Sequence, residues 1–302
     1  MDLDAALDRF WAAAAAGGLG IDTIEVVADD GPHGERRRIA DIRRDVFSVS
    51  KTVTSLAIGL LESDCALTLD DPVLQHLPEL ADTAAPGSEK ITVGHLLRMT
   101  AGNAYRWVDD DGDHPGDPAR DFLATPLVAE PGSAYYYRGA NTYVLGRIVH
   151  AISGRDLRDF LLPRLVVPLG IRNPQWNRCP LGFPLAAIGL QLRTSEITRI
   201  AQLLLHGGIH DGRRLIPASY IARMTADTTD TGRAEPDNRT YGLHVWRCAS
   251  DGAWRMDGIY GQFGIILPAH RATVSVTAHC QGPTTQILDC VWKHIVPALG
   301  SP

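Results

Sequence analysis

Residues 47–61 read FSVSKTVTSLAIGLL. Apolar residues recur here at the spacing of three and four that predicts an amphipathic helix, starting close to Ser48. Ser48 and Lys51 are three residues apart, so they lie on the same face of that helix. The sequence therefore predicts a hydroxyl and an amine side by side at the start of a buried helix.

This pairing suits nucleophilic catalysis, because a serine hydroxyl attacks well only when a neighbouring base takes its proton. Burial and the positive end of the helix dipole both disfavour the charged form of Lys51, so we expect a neutral amine beside Ser48. The free N–H groups at a helix start can also stabilise an oxyanion. We predict Ser48 as the nucleophile, with its own backbone N–H in the oxyanion hole, and Lys51 as the base.

The alternative interpretation is that Ser48 caps the helix and Lys51 is a solvated side chain. Lysine is scarce in this chain, occurring at positions 51, 90 and 293. Chance therefore seldom places it three residues after a serine, and Ser-x-x-Lys is a motif of acyl-enzyme chemistry. We favour the catalytic interpretation.

Composition limits the class of protein. The chain has 302 residues, 45% of them hydrophobic and 21% charged, which predicts one large domain or two interleaved ones. The net charge of −6 gives no basic surface for nucleic acid. No apolar run is long enough to predict a membrane span. The N-terminal segment does not resemble a signal peptide, and the scattered cysteines favour reduced thiols, so we expect a cytoplasmic protein.

No metal site or cofactor is predicted. The five cysteines contain no C-x-x-C pair. His206 and His210 have the spacing of helical metal ligands, but Gly207 and Gly208 interrupt the helix between them.

The pattern along the chain predicts an α+β fold, in which an antiparallel sheet is flanked by helices. Residues 1–47 and 218–302 are expected to form one α/β lobe, and residues 48–217 a mainly helical inserted region with the Ser-x-x-Lys helix at the junction. A strand pair is predicted over residues 21–28 and 38–42. The later strands are predicted at residues 241–248, 254–257, 262–267 and 273–278.

Aromatic residues supply further candidates. Tyr105 and Trp107 border an acidic loop over residues 103–121 and are predicted to contact substrate. That loop does not match a calcium-binding template. Residues 135–137 are three adjacent tyrosines, which can shuttle protons or simply pack, and the pattern alone favours packing.

Taken in order, these motifs resemble the serine β-lactamase and penicillin-binding-protein family. The resemblance is strongest to the branch with class C β-lactamases, related carboxylesterases and 6-aminohexanoate-dimer hydrolases. It rests on SVSK at 48–51, TVGHLLRMTAG at 92–102, YRGANTYVLG at 137–146 and DGIYGQ at 257–262. The resemblance implies a β-lactamase-like fold.

The resemblance also implies roles for particular residues. Tyr137 would share protons with Ser48 and Lys51, and the backbone N–H of Ile259 would be the second oxyanion donor. The same motifs supply the remaining substrate-binding candidates, which are Asn141, Asp257, Gly258 and Tyr260.

Two positions depart from the family pattern. Gly139 stands where the family usually has Asn or Ser, so that side-chain hydrogen bond is missing. Met256-Asp257-Gly258 replaces a motif whose basic or hydroxyl residues hold a substrate carboxylate. An aspartate there is expected to repel a carboxylate, which favours a neutral or amine-bearing substrate.

We therefore expect an acyl-enzyme serine hydrolase or acyltransferase acting on a small-molecule ester or amide. Water as the second nucleophile gives hydrolysis, whereas an amine gives a new amide. A catalytically silent binding protein of the same fold is the alternative from a different class, and Gly139 is its best support.

Overall fold

The structure is a computed structural model that describes residues 2–107, 116–250 and 252–300. The α-helices in these ranges are α1 Leu3–Ala16, α2 Val49–Ser63, α3 Val73–His76, α4 Val93–Leu97, α5 Pro118–Ala124, α6 Gly139–Ser153, α7 Leu157–Leu161, α8 Thr194–Leu205, α9 Ala218–Ala226 and α10 Thr285–Cys290. The strands are β1 Ile21–Ala28, β2 His33–Arg37, β3 Arg44–Asp45, β4 Gln191–Leu192, β5 Ile209–His210, β6 Arg213–Arg214, β7 Thr229–Asp230, β8 Thr240–Tyr241, β9 Trp246–Arg247, β10 Trp254–Gly258, β11 Gln262–Leu267 and β12 Ala272–Ala278.

The main sheet joins the two ends of the chain. Its strand order in the described residues is β2-β1-β12-β11-β10-β9-β8-β7, and neighbouring strands are antiparallel. Ile24 of β1 pairs with Val276 of β12, so an N-terminal strand lies beside a C-terminal one. The predicted α+β fold, an antiparallel sheet flanked by helices, is confirmed.

Different helices cover the two faces of the sheet. On one face, Val274 of β12 belongs to an apolar layer with Phe10 of α1 and Ile287 of α10. On the other face α8 packs across β11 and β12, and the hydroxyls of Thr194 and Thr277 are 2.8 Å apart. Because successive side chains of a strand point to opposite faces, β12 is buried along its whole length.

Helix α2 lies in the middle of the molecule. Every residue from Val49 to Leu61 is buried, and the helix packs against α6 and β10. Its apolar side chains join a second core, separate from the layer under α1. This enclosure fixes the start of α2 relative to the end of β10.

The strand predicted over residues 38–42 is wrong. The second strand is β2, which begins directly after the turn because Val27 pairs with His33. Beyond β2, Arg38 and Arg44 both bind the buried carboxylate of Asp22, and this holds the chain across the end of β1.

The proposed division into two lobes stays a prediction. Helix α8 lies within residues 48–217 in sequence but packs on the sheet. None of the helices in the described ranges combines the length and the apolar character needed to cross a lipid bilayer.

Candidate active site

A cleft of about 910 Å³ opens where the start of α2 meets the turn after β10. Six of the predicted site residues contribute to its lining, together with Phe47, Arg233, Trp246 and Arg255. Those six predicted residues are Ser48, Lys51, Tyr137, Asp257, Ile259 and Tyr260.

Ser48 and Lys51 meet at the base of this cleft. Lys51 Nζ donates a hydrogen bond of 2.8 Å to Ser48 Oγ and another of 3.2 Å to the carbonyl oxygen of Ala187. The lysine is only 3% exposed. The Ser48 side chain makes no capping hydrogen bond to the helix. Ser48 therefore does not cap the helix through its side chain, and Lys51 is not a solvated side chain. The two side chains contact each other instead.

A strained turn presents Ser48 to the cleft. Phe47, directly before it, has a φ of +47°, which costs a residue with a side chain about 1–3 kcal/mol. Asp45 Oδ1 accepts hydrogen bonds from the N–H groups of Phe47, at 2.6 Å, and Gly189, at 3.1 Å. Burial raises the pKa of Asp45, and these two hydrogen bonds oppose that rise. Asp45 thus braces the turn that starts α2.

The structure gives Tyr137 different surroundings from Tyr135, two residues earlier. The Tyr137 ring lies beside the amine, with Lys51 Nζ 4.9 Å from the ring centroid. The Tyr135 hydroxyl is buried and has no hydrogen-bond partner among the described residues, and its burial raises its pKa. Trp246 packs against both rings. Only Tyr137 of this pair lines the cleft.

The turn between β10 and β11 lies against the residues that precede Ser48. A Cβ atom at Gly258 would sit 2.4 Å from the carbonyl oxygen of Val46, so a side chain there would force the two segments apart. Ile259 follows, and its N–H and that of Ser48 donate no hydrogen bond within the described chain. Both amides are therefore available to an oxyanion, as an oxyanion hole requires.

Asp257 is held by Arg255, which sequence analysis missed. Nε and Nη2 of this guanidinium each lie 2.8 Å from Asp257 Oδ2, and Arg255 is 1% exposed. Burial raises the pKa of Asp257, and the adjacent Arg255 opposes that rise. Because the carboxylate is paired, the repulsion expected from Asp257 does not follow. The sequence carried a signal, since residues two apart on a strand share a face.

His244 is a second residue that sequence analysis missed. It is buried behind Lys51, with Nε2 3.0 Å from Thr142 Oγ1, and its carbonyl oxygen accepts a 2.7 Å hydrogen bond from Thr52 Oγ1. Burial, followed by the charge of Lys51, lowers the pKa of His244 to about 3. The imidazole is therefore neutral at pH 7 and contacts α6 through Thr142, whereas the backbone carbonyl of His244 braces Thr52, the residue next to Lys51 in α2.

Four predicted substrate-binding residues lie outside the cleft lining: Gly258, which packs against Val46, and three residues of the helical region. Trp107 is 6% exposed and packs edge-on against Tyr143 at 4.5 Å. The Tyr105 N–H donates a 2.7 Å hydrogen bond to Asn103 Oδ1, and Asn141 is 1% exposed within α6. Tyr105, Trp107 and Asn141 pack within the helical region, so the structure does not bring them to Ser48. The acidic residues 109–113 of the predicted loop lie outside the described residues.

The fold and this cleft define a class of protein: an α+β protein in which a buried lysine contacts a serine at a helix start, beside a tyrosine. The chain belongs to the Beta-lactamase family, whose model matches residues 9–289. This confirms the resemblance drawn from its motifs.

Relatives and a solved structure agree with this family. The chain is 34% identical to esterase EstB of Burkholderia gladioli over 42% of this chain and 36% of that protein. It is 24% identical to 6-aminohexanoate-dimer hydrolase of Paenarthrobacter ureafaciens over 72% of this chain and 61% of that protein. A penicillin-binding protein homologue from Caulobacter crescentus shares the fold, with a TM-score of 0.76, 18% identity and 98% coverage of both chains. The chain thus spans about a third to three fifths of these two curated relatives.

Proposed function

We propose that the protein is an acyl-enzyme serine hydrolase acting on a small carboxylic ester or amide. The observation that carries this proposal is the 2.8 Å contact between Lys51 Nζ and Ser48 Oγ in a buried corner beside Tyr137. In the reactive state the neutral amine of Lys51 takes the proton from Ser48 Oγ as that oxygen attacks the carbonyl carbon.

The remaining steps use groups that line the same cleft. The N–H groups of Ser48 and Ile259 stabilise the oxyanion of the tetrahedral intermediate. When the bond to the leaving group breaks, Lys51 and Tyr137 pass the proton to the leaving oxygen or nitrogen. Water then attacks acyl-Ser48, which releases the acid and restores the serine hydroxyl. The names of the esterase and dimer-hydrolase relatives support an ester or amide as the substrate.

The size of the cleft favours a second candidate, transfer of the acyl group to an amine. A volume of about 910 Å³ leaves room for an acceptor molecule beside a small acyl group. An amine that reached acyl-Ser48 before water would leave with the acyl group as an amide.

Product analysis tests both candidates. The purified protein would be incubated with p-nitrophenyl esters and anilides of short acids, with and without primary amines, and compared with Ser48→Ala. Release of free acid that requires Ser48 supports hydrolysis, and an amide product supports transfer. Turnover that is equal in wild type and Ser48→Ala contradicts Ser48 as the nucleophile, and turnover that is absent from both favours a binding protein.

A further inference from the structure

Arg233 lines the same cleft from a loop between β7 and β8. Its guanidinium lies over the Trp246 ring, with Cζ 5.2 Å from the ring centroid. The backbone N–H of Arg233 donates a 3.2 Å hydrogen bond to Thr231 Oγ1, at the start of the loop. Stacking on an aromatic face orders an arginine side chain and leaves the edge of its donor fork accessible.

The second guanidinium of this wall, Arg255, has its donors occupied by protein oxygens. Besides Asp257, Arg255 Nη1 donates a 2.6 Å hydrogen bond to the carbonyl oxygen of Asp237, and Nη2 donates one of 2.6 Å to Asn238 Oδ1. This buried side chain is part of the wall itself. Arg233 is therefore the guanidinium that a ligand can reach.

The carboxylates near Arg233 are turned to other groups. Asp237 accepts hydrogen bonds from the Ala249 N–H at 2.7 Å and from Trp292 Nε1 at 2.9 Å, and Asp257 faces Arg255. Within residues 2–107, 116–250 and 252–300, no carboxylate oxygen forms an ion pair with Arg233. After Arg255 and Asp257 neutralise each other, this wall carries the positive charge of one guanidinium.

Another part of the rim of the cleft, in the turn after β10, is apolar. Ile259 is 54% exposed and Tyr260 is 39% exposed, and the Tyr260 ring contacts Phe47 at 5.2 Å between centroids. Contact with an apolar part of a ligand would remove this exposed apolar surface from water, which favours binding. Arg233 together with the side chains of Ile259 and Tyr260 fits a molecule that has an apolar segment and one anionic group.

We propose that Arg233 forms an anion subsite that binds a carboxylate of the substrate. The preferred substrate is then an ester or amide that also carries a carboxylate, joined through an apolar segment. A single guanidinium fork matches one carboxylate in both geometry and charge. This inference rests on the proposed function for its substrate class, and it replaces the neutral or amine-bearing substrate expected from Asp257 alone.

Matched ester pairs test the subsite. One pair is p-nitrophenyl pentanoate and mono-p-nitrophenyl glutarate, and the other is phenyl butyrate and 4-carboxyphenyl butyrate, so that the anion lies on the acyl side or on the leaving group. The variants are Arg233→Ala and Arg233→Glu. Arg239→Ala is the control, because Arg239 is an exposed arginine of the same segment outside the cleft lining.

We expect wild type to prefer the anionic ester of at least one pair. Arg233→Ala should lower kcat/KM for that ester by about tenfold and change the neutral ester by less than about twofold, since one charge-assisted contact is lost. Arg233→Glu should reverse the preference, and Arg239→Ala should match wild type. Equal losses for both esters, or a wild type without preference, would overturn the subsite.

Calorimetry separates failure of the subsite from failure of the proposed function. Glutarate should bind Ser48→Ala saturably and should not bind the Ser48→Ala, Arg233→Ala double variant. If wild type turned over no ester, the proposed hydrolase function would fail, and this titration would decide the subsite by itself. Glutarate binding that persists without Arg233, no glutarate binding at all, or binding of inorganic phosphate in preference to glutarate, would each contradict a carboxylate subsite.

Discussion

Two buried basic side chains line the same cleft, and their hydrogen bonds reach different kinds of oxygen. Lys51 is 3% exposed and donates to a hydroxyl and a backbone carbonyl, both of them neutral. Arg255 is 1% exposed and donates to the carboxylate of Asp257 as well as to neutral oxygens. The extent of burial therefore does not distinguish Lys51, which we assign to catalysis, from Arg255, which we assign to a structural role.

The partner oxygen makes the difference. A buried ion pair keeps its two members charged and oriented, and removing one member leaves the other charge uncompensated. Lys51 shares a proton with the hydroxyl of Ser48, so it can change its charge during a reaction. Substitutions at the two basic side chains should therefore separate loss of turnover from loss of stability.

Lys51→Met should have the largest effect on turnover. Removing the amine leaves Ser48 without its base, and we expect kcat for a p-nitrophenyl ester to fall by about 10³ to 10⁴-fold. The urea unfolding midpoint should stay close to that of wild type, because methionine fills a similar volume. Near-normal turnover in Lys51→Met would contradict the assignment of Lys51 as the base.

Arg255→Met should show the opposite pattern. It leaves the partly buried Asp257 carboxylate without its guanidinium, so the free energy of unfolding should fall by up to about 3 kcal/mol. Adding Asp257→Asn removes the uncompensated charge and should restore a large part of the loss. Urea denaturation of the single and double variants measures both effects. An Arg255→Met protein as stable as wild type would show that this pair is not a structural brace.

Tyr137→Phe and Tyr135→Phe are a matched pair on one aromatic cluster. Each removes one hydroxyl and keeps the ring. We expect Tyr137→Phe to lower kcat by about 10²-fold, because a proton-transfer group is lost. Tyr135→Phe should leave kcat unchanged, since its hydroxyl has no partner among the described residues. Equal losses in the two variants would indicate that the cluster acts only through packing.

How far the sequence predicts this site depends on whether its residues are close in the chain. Ser48 and Lys51 are three apart on one helix, so their contact follows from helical geometry. Asn141 also lies in a recognisable motif, and Tyr105 and Trp107 lie in the acidic loop over residues 103–121. The packing of α5 and α6, which no local pattern specifies, turns these three away from the cleft.

The strands show the same limit. The strand predicted over residues 262–267 has the bounds of β11, because this mostly apolar segment is buried along its whole length. The missed strand β2 is polar, and its place is set by pairing with β1. Arg233 and Asp257 reach one wall from segments that meet only in the folded sheet.

His244 gives the smallest expected effect. Its folded pKa of about 3 lies below the ordinary histidine pKa of 6.5, so the unfolded state binds more protons between these values. Stability should therefore fall as the pH falls from 6.5 towards 3. Between pH 7 and pH 5, wild type should lose roughly 2 kcal/mol more unfolding free energy than His244→Asn, by the relation of about 1.4 kcal/mol per pKa unit. Parallel stability curves for the two proteins would contradict a neutral buried imidazole.

Intact-mass spectrometry of the protein after a brief reaction with a p-nitrophenyl ester is the most direct test of Ser48 as the nucleophile. We predict a mass increase of one acyl group that maps to the peptide containing Ser48, that decays as water or an amine is supplied, and that is absent from Ser48→Ala. An unmodified protein that still releases p-nitrophenol, or an acyl group on any other residue, would contradict the mechanism.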